Sequence, residues 1–174
     1  MNERGNHCLW RRESASLQPV KTFSPPRILI EVPHQRLHLL SESGEKLGSY
    51  PVSTSQYGLG FEKGSLRTPT GRFRIIDKIG QGEPPWMSFK GRVATGVIAS
   101  LGGEQDLILS RILWLDGVDP ENGNTRDRYI YLHGTNQEER IGERASHGCI
   151  RLRNLDMIEL FERVSVGDCV EIRG

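Results

Sequence analysis

The stretch Ser146-His147-Gly148-Cys149-Ile150-Arg151-Leu152-Arg153-Asn154 decides both the fold and the chemistry predicted for this chain, together with His133-Gly134-Thr135 upstream. It combines a cysteine, two histidines and a glycine turn. A free thiol is only a few per cent thiolate at neutral pH, so it needs a nearby base to become a good nucleophile. A base, a thiol and backbone amides around a glycine are the parts that an acyl-transfer site requires.

Cys149 is the candidate nucleophile. The alternative for a cysteine is a small buried apolar residue, and that interpretation suits Cys169, which lies beside Val170 in an apolar strand pattern. Cys149 instead adjoins Gly148 and precedes a predicted helix, whose positive N-terminal dipole would favour the thiolate.

His133 is the candidate general base. It follows the apolar run from Tyr129 to Leu132, which predicts a strand and therefore a rigid mount for an imidazole. His147 lies only two residues before Cys149, a poor separation for the two side chains to face each other, so we expect a supporting role for it. Ser146 as a nucleophile is disfavoured because no Gly-x-Ser-x-Gly pattern surrounds it.

A metal site is the rival interpretation of the same residues. Its four ligands would be His133, His147, Cys149 and Cys169. Their spacing matches no zinc pattern, and the chain has no Cys-x-x-Cys. We therefore expect no metal ion at these residues.

The composition sets outer limits on the function. The 174 residues suffice for one domain with a real core. The 23 basic and 22 acidic residues give a net charge of +1, which offers no electrostatic reason for a nucleic-acid partner. The odd number of cysteines, three, is a poor disulfide framework and favours a reducing compartment, although a Cys8–Cys169 bridge stays open.

The first 26 residues differ from the rest of the chain. Residues 1–26 are polar, lack periodicity and end in Pro25-Pro26, which predicts an extended arm before a domain over residues 27–174. No apolar run in the arm resembles a signal peptide or a membrane segment. We therefore expect a cytoplasmic protein, or a periplasmic one if an upstream segment precedes Met1.

The hydrophobic pattern predicts a mainly β domain with a minor helical part. Asn154 is a suitable N-cap for one principal helix, whose apolar positions would be Leu155, Ile158, Phe161 and Val164. Two glycine-containing loops, residues 57–67 and 116–127, could shape a substrate cleft. The predicted strands lie around residues 28–32, 37–40, 46–52, 72–76, 108–115, 129–132 and 169–172.

The chain resembles the L,D-transpeptidases with a YkuD-type catalytic domain. The paired His133-Gly134-Thr135 and Ser146-His147-Gly148-Cys149-Ile150-Arg151 motifs carry the resemblance. Pro51-Val52-Ser53-Thr54, residues 68–73, Asn154-Leu155-Asp156 and residues 166–170 extend it over roughly residues 27–173. It implies a single β-sandwich-like domain with one short helix after the nucleophile.

The resemblance also implies roles for individual residues. Cys149 would be the nucleophile and His133 its base, with the carbonyl of Gly134 orienting the imidazole. The backbone amides of His147, Gly148 and Cys149 would form an oxyanion hole, supported by Ser146. Arg151 and Thr135 would be supporting or substrate-binding residues.

The reaction that the resemblance implies is acyl transfer on peptidoglycan, which needs neither a metal nor an organic cofactor. Cys149 would form a thioester with a tetrapeptide stem and release the terminal D-alanine, after which an amine would accept the acyl group. A cytosolic L,D-carboxypeptidase, with water as acceptor during peptidoglycan recycling, is the alternative. A module that only binds wall peptides is a third interpretation. The implied partners are stem peptides or muropeptides, and the oligomeric state stays open.

Overall fold

Ten strands of the described residues, 27–174, form one curled sheet in the computed structural model of the chain. The expected arm, residues 1–26, lies outside the described residues. The strands are β1 (Ile28–Glu31), β2 (Arg36–Leu40), β3 (Lys46–Pro51), β4 (Gly71–Ile79), β5 (Met87–Lys90), β6 (Val93–Ile98), β7 (Ile108–Gly117), β8 (Tyr131–Thr135), β9 (Ile150–Leu152) and β10 (Cys169–Arg173).

The sheet branches at β7. Its main path runs β3-β2-β1-β10-β4-β7-β5-β6, with β8 on the other edge of β7 and β9 beyond β8. Two of the pairs, β1 with β10 and β8 with β9, are parallel, and the others are antiparallel. The prediction of a mainly β domain is therefore confirmed, and β7 and β8 lie at its centre.

The helix α1 (Asn154–Arg163) packs on β7 and β8, as the sequence predicts in outline. Its start differs from the expectation, because Asn154 is the first helical residue rather than the cap, and Arg153 before it is extended. The carboxylate of Glu138 accepts the backbone N–H of Asn154 at 2.8 Å. This long-range contact satisfies a helix N-terminal donor in place of a local cap.

The side chain of Asn154 turns inward and joins three parts of the chain. Its amide donates to the Thr135 carbonyl at 2.7 Å and to Glu138 at 2.6 Å, and its oxygen accepts the Ser110 hydroxyl at 2.6 Å. These three hydrogen bonds of Asn154 set the rotation of the helix about its own axis. The predicted apolar face was wrong in part: Leu155 is 62% exposed, and the buried positions are Met157, Leu160, Phe161 and Val164.

The segment before β8 also departs from the sequence prediction. The run from Tyr129 to Leu132 was expected to be strand throughout, yet β8 begins only at Tyr131. A 3-10 turn over Arg126–Arg128 ends on Tyr129, whose φ of 56° is incompatible with a strand. Strands β5, β6 and β9 were not predicted. The exposed, glycine-containing β6 lacks the alternation that marks a strand in sequence.

The two faces of β7 and β8 bury different clusters. Leu132 points into the main core with Leu113, Leu115, Ile150 and the helix. Tyr131 points to the opposite face and packs with Ile112, Met87 and Phe89, and this second cluster also contacts Cys149. Because side chains alternate along a strand, the candidate site lies on the face away from the main core.

Within residues 27–174, no helix combines the length and the apolar character needed to cross a bilayer.

Replacing Asn154 with alanine should destabilise the domain strongly, by about 3 kcal/mol, because buried partners at Thr135 and Ser110 lose their hydrogen bonds. The matched control is Leu155→Ala, one residue along the same helix, which should change stability by less than about 0.5 kcal/mol. Urea unfolding followed by circular dichroism measures both. Equal losses in the two variants would contradict this role for Asn154.

Candidate active site

Cys149 lies in a turn immediately before β9 and is only partly exposed. Its sulfur accepts the backbone N–H of Tyr131 at 3.4 Å and lies 3.4 Å from the Tyr129 carbonyl. The expected helix-dipole effect on the thiol does not fit this geometry. The strand β9 separates Cys149 from the start of α1, and dipole effects fade beyond the first turn of a helix.

The surroundings of Cys149 keep its thiol protonated at rest. Burial raises the pKa of the Cys149 thiol to about 12, and the negative charge of Asp106 acts in the same direction. The Tyr131 N–H and the cations of Arg151 and Arg128 oppose this rise without overcoming it. A protonated thiol is a poor nucleophile, so any nucleophilic chemistry at Cys149 would need a base to take its proton.

His133 is placed to act as that base. Its Nδ1 lies 2.7 Å from the carbonyl oxygen of Gly134, which can only accept a hydrogen bond. The proton of the neutral ring is therefore on Nδ1, and the lone pair is on Nε2. Burial lowers the pKa of His133, so the imidazole is neutral at physiological pH.

The parallel pairing of β8 with β9 brings the two groups to one face. His133 is in register with Arg151, and Leu132 with Ile150, so Cys149 lies level with Tyr131. Alternation then directs Tyr131, His133, Cys149 and Arg151 to the same side of the pair. Two motifs that are separated in sequence thus meet across adjacent strands.

Gly134 has a packing reason to be glycine. A Cβ atom at this position would lie 2.5 Å from Oδ1 of Asn154 and 2.8 Å from the Leu109 carbonyl. Opposite it, β7 bulges between Leu109 and Ile112, and Ser110 within the bulge has a φ of 65°. The bulge in β7, Gly134 and the hydrogen bonds of Asn154 together fix the position of the His133 backbone.

Ser146 and Gly148 shape the turn that carries Cys149. The buried Ser146 hydroxyl donates to the Cys149 carbonyl at 2.6 Å and accepts the Gly148 N–H at 3.3 Å. Gly148 has a φ of 119°, a conformation that residues with a side chain rarely adopt. With its hydroxyl engaged and buried, Ser146 does not fit the alternative of a serine nucleophile.

His147 lies at the rim of the site. Its ring is half-exposed, with Nδ1 3.6 Å from Asp106 and Nε2 3.4 Å from the Gln56 amide. The Tyr57 ring is 5.9 Å away, centroid to centroid. The side chain therefore faces two loops. One of them is the loop over residues 57–67 that was predicted to shape a cleft.

Arg151 and Thr135 are placed differently from the expectation. Both are fully buried, so neither side chain presents a surface to a substrate. The Arg151 guanidinium binds Gln137 at 2.9 Å, Ser53 at 3.0 Å and Asp106 at 3.1 Å. The substrate-binding role expected for Thr135 does not fit its burial, and of the two roles expected for Arg151 only the supporting one does, because a buried cation must be paired within the protein.

A group of aromatic and cationic side chains borders Cys149 and was not anticipated from sequence. The Arg92 guanidinium lies 4.5 Å from the Trp114 ring and 5.2 Å from the Tyr129 ring, and it donates to the Tyr131 hydroxyl at 3.1 Å. Asp106 was also missed. Neither Arg92 nor Asp106 belongs to a sequence motif, and only the folding of the chain brings them to the site.

The rival metal site is not assembled. Across residues 27–174, no three His, Cys, Asp or Glu side chains are grouped so that they could hold a metal ion. Cys169 is on β10, paired with β1 and β4, away from the β8–β9 pair. Whether Cys8 and Cys169 form a disulfide bond stays open, because Cys8 lies outside the described residues.

Fold and site together define a small β domain with a histidine–cysteine pair on one face of a parallel strand pair. The family model of the YkuD L,D-transpeptidase catalytic domain matches residues 25–172. The chain therefore belongs to the YkuD family of L,D-transpeptidase catalytic domains.

Individual relatives agree with this membership. A probable L,D-transpeptidase of Escherichia coli, YcfS, is 32% identical over 164 residues, covering 88% of this chain and 47% of the relative. The putative L,D-transpeptidase YqjB of Bacillus subtilis is 44% identical over 48 residues, covering 28% of this chain and 27% of the relative. The chain spans about half the length of the E. coli relative.

Solved structures share the fold at low identity. An L,D-transpeptidase from Mycobacterium smegmatis matches with a TM-score of 0.55 and 19% identity, covering 86% of this chain and 59% of that one. The L,D-transpeptidase from Xylanimonas cellulosilytica matches with a TM-score of 0.56 and 19% identity, covering 88% of this chain and 63% of that one. The expected β-sandwich-like domain with one main helix is confirmed.

The raised pKa of Cys149 predicts slow alkylation at neutral pH. Because the thiolate is the reactive form, the rate of iodoacetamide modification should rise only in the alkaline range, with its midpoint above that of a free cysteine. Peptide mass mapping at each pH follows Cys149 separately from the other two cysteines. A midpoint at or below that of a cysteine-containing reference peptide would contradict the protonated resting state.

Proposed function

We propose that this chain is a cysteine acyltransferase of the L,D-transpeptidase type that acts on peptidoglycan tetrapeptide stems. The observation that carries the proposal is the His133–Cys149 arrangement on one face of β8 and β9, with the Nδ1 of His133 held by Gly134 and its Nε2 left as base. Membership of the YkuD family supports the substrate class.

In the first step His133 takes the thiol proton on Nε2 while the Cys149 sulfur attacks. The electrophile is the carbonyl of the L-centre of the third stem residue, a diamino acid. Because both groups are neutral at rest, proton transfer accompanies bond formation rather than preceding it. The attack turns the carbonyl oxygen into an oxyanion.

The turn around Gly148 would stabilise that oxyanion through backbone N–H groups. The N–H of Gly148 contacts the Ser146 hydroxyl at 3.3 Å, a long hydrogen bond that a charged oxygen can replace. The amides of His147 and Cys149 complete the proposed set. Collapse of the intermediate transfers the His133 proton to the departing D-alanine amine and leaves a thioester on Cys149.

An acceptor then resolves the thioester. Attack by an amine, with His133 as base, gives a cross-link or an exchanged D-amino acid. Attack by water gives a tripeptide, which would make the protein an L,D-carboxypeptidase. The protein residues proposed for both outcomes are the same, so the acceptor that reaches the thioester decides between them. A cytoplasmic location remains a prediction, and cell fractionation tests it.

Incubation with disaccharide tetrapeptides should give products that depend on Cys149 and His133. Cys149→Ala should abolish turnover, and His133→Gln should lower the rate by about 10³-fold, the scale of a lost general base. Matched controls are Cys169→Ala on β10 and His34→Gln at an exposed turn, both expected to retain activity. Liquid chromatography with mass spectrometry identifies products and, after acid quenching, the thioester.

The products distinguish the candidate functions. Cross-linked dimer supports transpeptidation, and tripeptide with free D-alanine supports the carboxypeptidase. Retained binding without turnover would overturn the enzymatic proposal and leave a wall-peptide binding module. Full activity in Cys149→Ala would overturn the thioester mechanism.

A further inference from the structure

Asp106 lies beside the reacting pair, in the loop that joins β6 to β7. One carboxylate oxygen is 3.1 Å from the Arg151 guanidinium and 3.4 Å from the Thr135 hydroxyl, and the other is 3.6 Å from Nδ1 of His147. The side chain is mostly buried. Since Thr135 and Arg151 share a strand face with His133, the carboxylate lies over the face that carries the chemistry.

The two residues that follow β8 fix this loop in place. The Asn136 amide donates to the carbonyls of Gly102 at 2.7 Å and Gln105 at 2.9 Å, and its oxygen accepts the Leu107 N–H at 2.9 Å. The Gln137 amide donates to two further loop carbonyls, at 3.0 and 3.2 Å. Side chains from the strand that carries His133 therefore position the segment that carries Asp106.

The charges around the pair are few. Those that act on His133 or Cys149 come from the loop before β7, from β9 and from the turn before β8. They are Asp106, Arg151 and Arg128, with the Tyr131 phenol as a further titratable neighbour and His147 on the outer side of Asp106. Among the charged groups of residues 27–174 that act on His133, Asp106 is the negative one, and it opposes the permanent charge of Arg151 together with the hydrogen bond to the Gly134 carbonyl.

We propose that Asp106 is a positioning residue that sets the proton balance of the His133–Cys149 pair. It stabilises the imidazolium that forms when the thiol proton moves to His133, and it keeps the buried Arg151 from repelling that cation. The inference rests on the proposed roles of His133 and Cys149. The negative charge develops on the substrate oxygen and disappears in the thioester, and the cation on His133 persists until the leaving amine takes its proton.

The electrostatic directions agree with this role. The negative charge of Asp106 raises the pKa of His133 and also raises the pKa of Cys149, while Arg151 lowers both. Removal of the charge should therefore move both titrations to lower pH. A residue that merely held the loop in place would lower activity without moving the titrations together.

The test is Asp106→Asn, which keeps the shape and hydrogen-bonding oxygen but removes the charge. The midpoint of Cys149 alkylation by iodoacetamide should fall by about one pH unit, and the His133 imidazole should titrate lower by NMR. The matched control is Glu104→Gln, which removes one negative charge from an exposed position of the same loop and should leave both midpoints unchanged. Asp106→Glu, which keeps the charge, should remain close to the unmodified protein.

A folded Asp106→Asn protein with unchanged midpoints would overturn the proposal. If that variant does not fold, Asn136→Ala is the second test. This substitution preserves every charge but loosens the loop. It should lower the midpoint of Cys149 alkylation, because the Asp106 carboxylate then moves away from Arg151. An unchanged midpoint in this variant would contradict the proposed role of Asp106. Alkylation needs no substrate, so a failure to process peptidoglycan would overturn the proposed function and leave this result intact.

Discussion

The buried guanidinium of Arg151 is the constraint on which the rest of the site depends. A cation without solvent must be paired and hydrogen-bonded inside the protein, or it costs several kcal/mol. Its partners come from three separate segments: Asp106 before β7, Gln137 after β8 and Ser53 after β3. The backbones of Ser53 and Arg151 also exchange two hydrogen bonds of 2.9 Å. Satisfying this one charge therefore gathers the segments that surround Cys149 and His133.

The reacting groups themselves are neutral in this setting. Burial opposes charge on both the thiol and the imidazole, so the resting pair avoids the cost of two desolvated ions. In the mechanism proposed above, charge would develop only when a substrate carbonyl accepts the sulfur, and the turn amides and Asp106 would then face the oxyanion and the imidazolium respectively. Such a site reserves its electrostatic stabilisation for the reacting state.

The sequence was informative wherever the determining residues were close along the chain. The Ser146–Cys149 motif, His133 and the helix after Asn154 were all identified, because turn chemistry and helical periodicity are local signals. The buried helix face was misjudged because long-range bonds to Ser110, Thr135 and Glu138 decide its rotation. The two roles expected for Arg151, supporting or substrate-binding, stayed open for the same kind of reason. No local pattern shows that an arginine two positions after Cys149 will be buried and paired with an aspartate 45 positions earlier (151 − 106).

Neighbouring residues of β8 are under different constraints, because their side chains alternate between the two faces of the sheet. Leu132 belongs to the main core, while Tyr131 and His133 on either side of it belong to the reacting face. Substitutions at Leu132 are therefore constrained by packing in the main core, those at Tyr131 by packing in the second cluster, and those at His133 by the proposed chemistry. The β5–β6 hairpin and its Arg92 lie over the reacting face alone. Under the proposed function, changes in the hairpin would alter substrate preference without a compensating change in the core, whereas a one-residue insertion in β8 would exchange the two faces and destroy both properties at once.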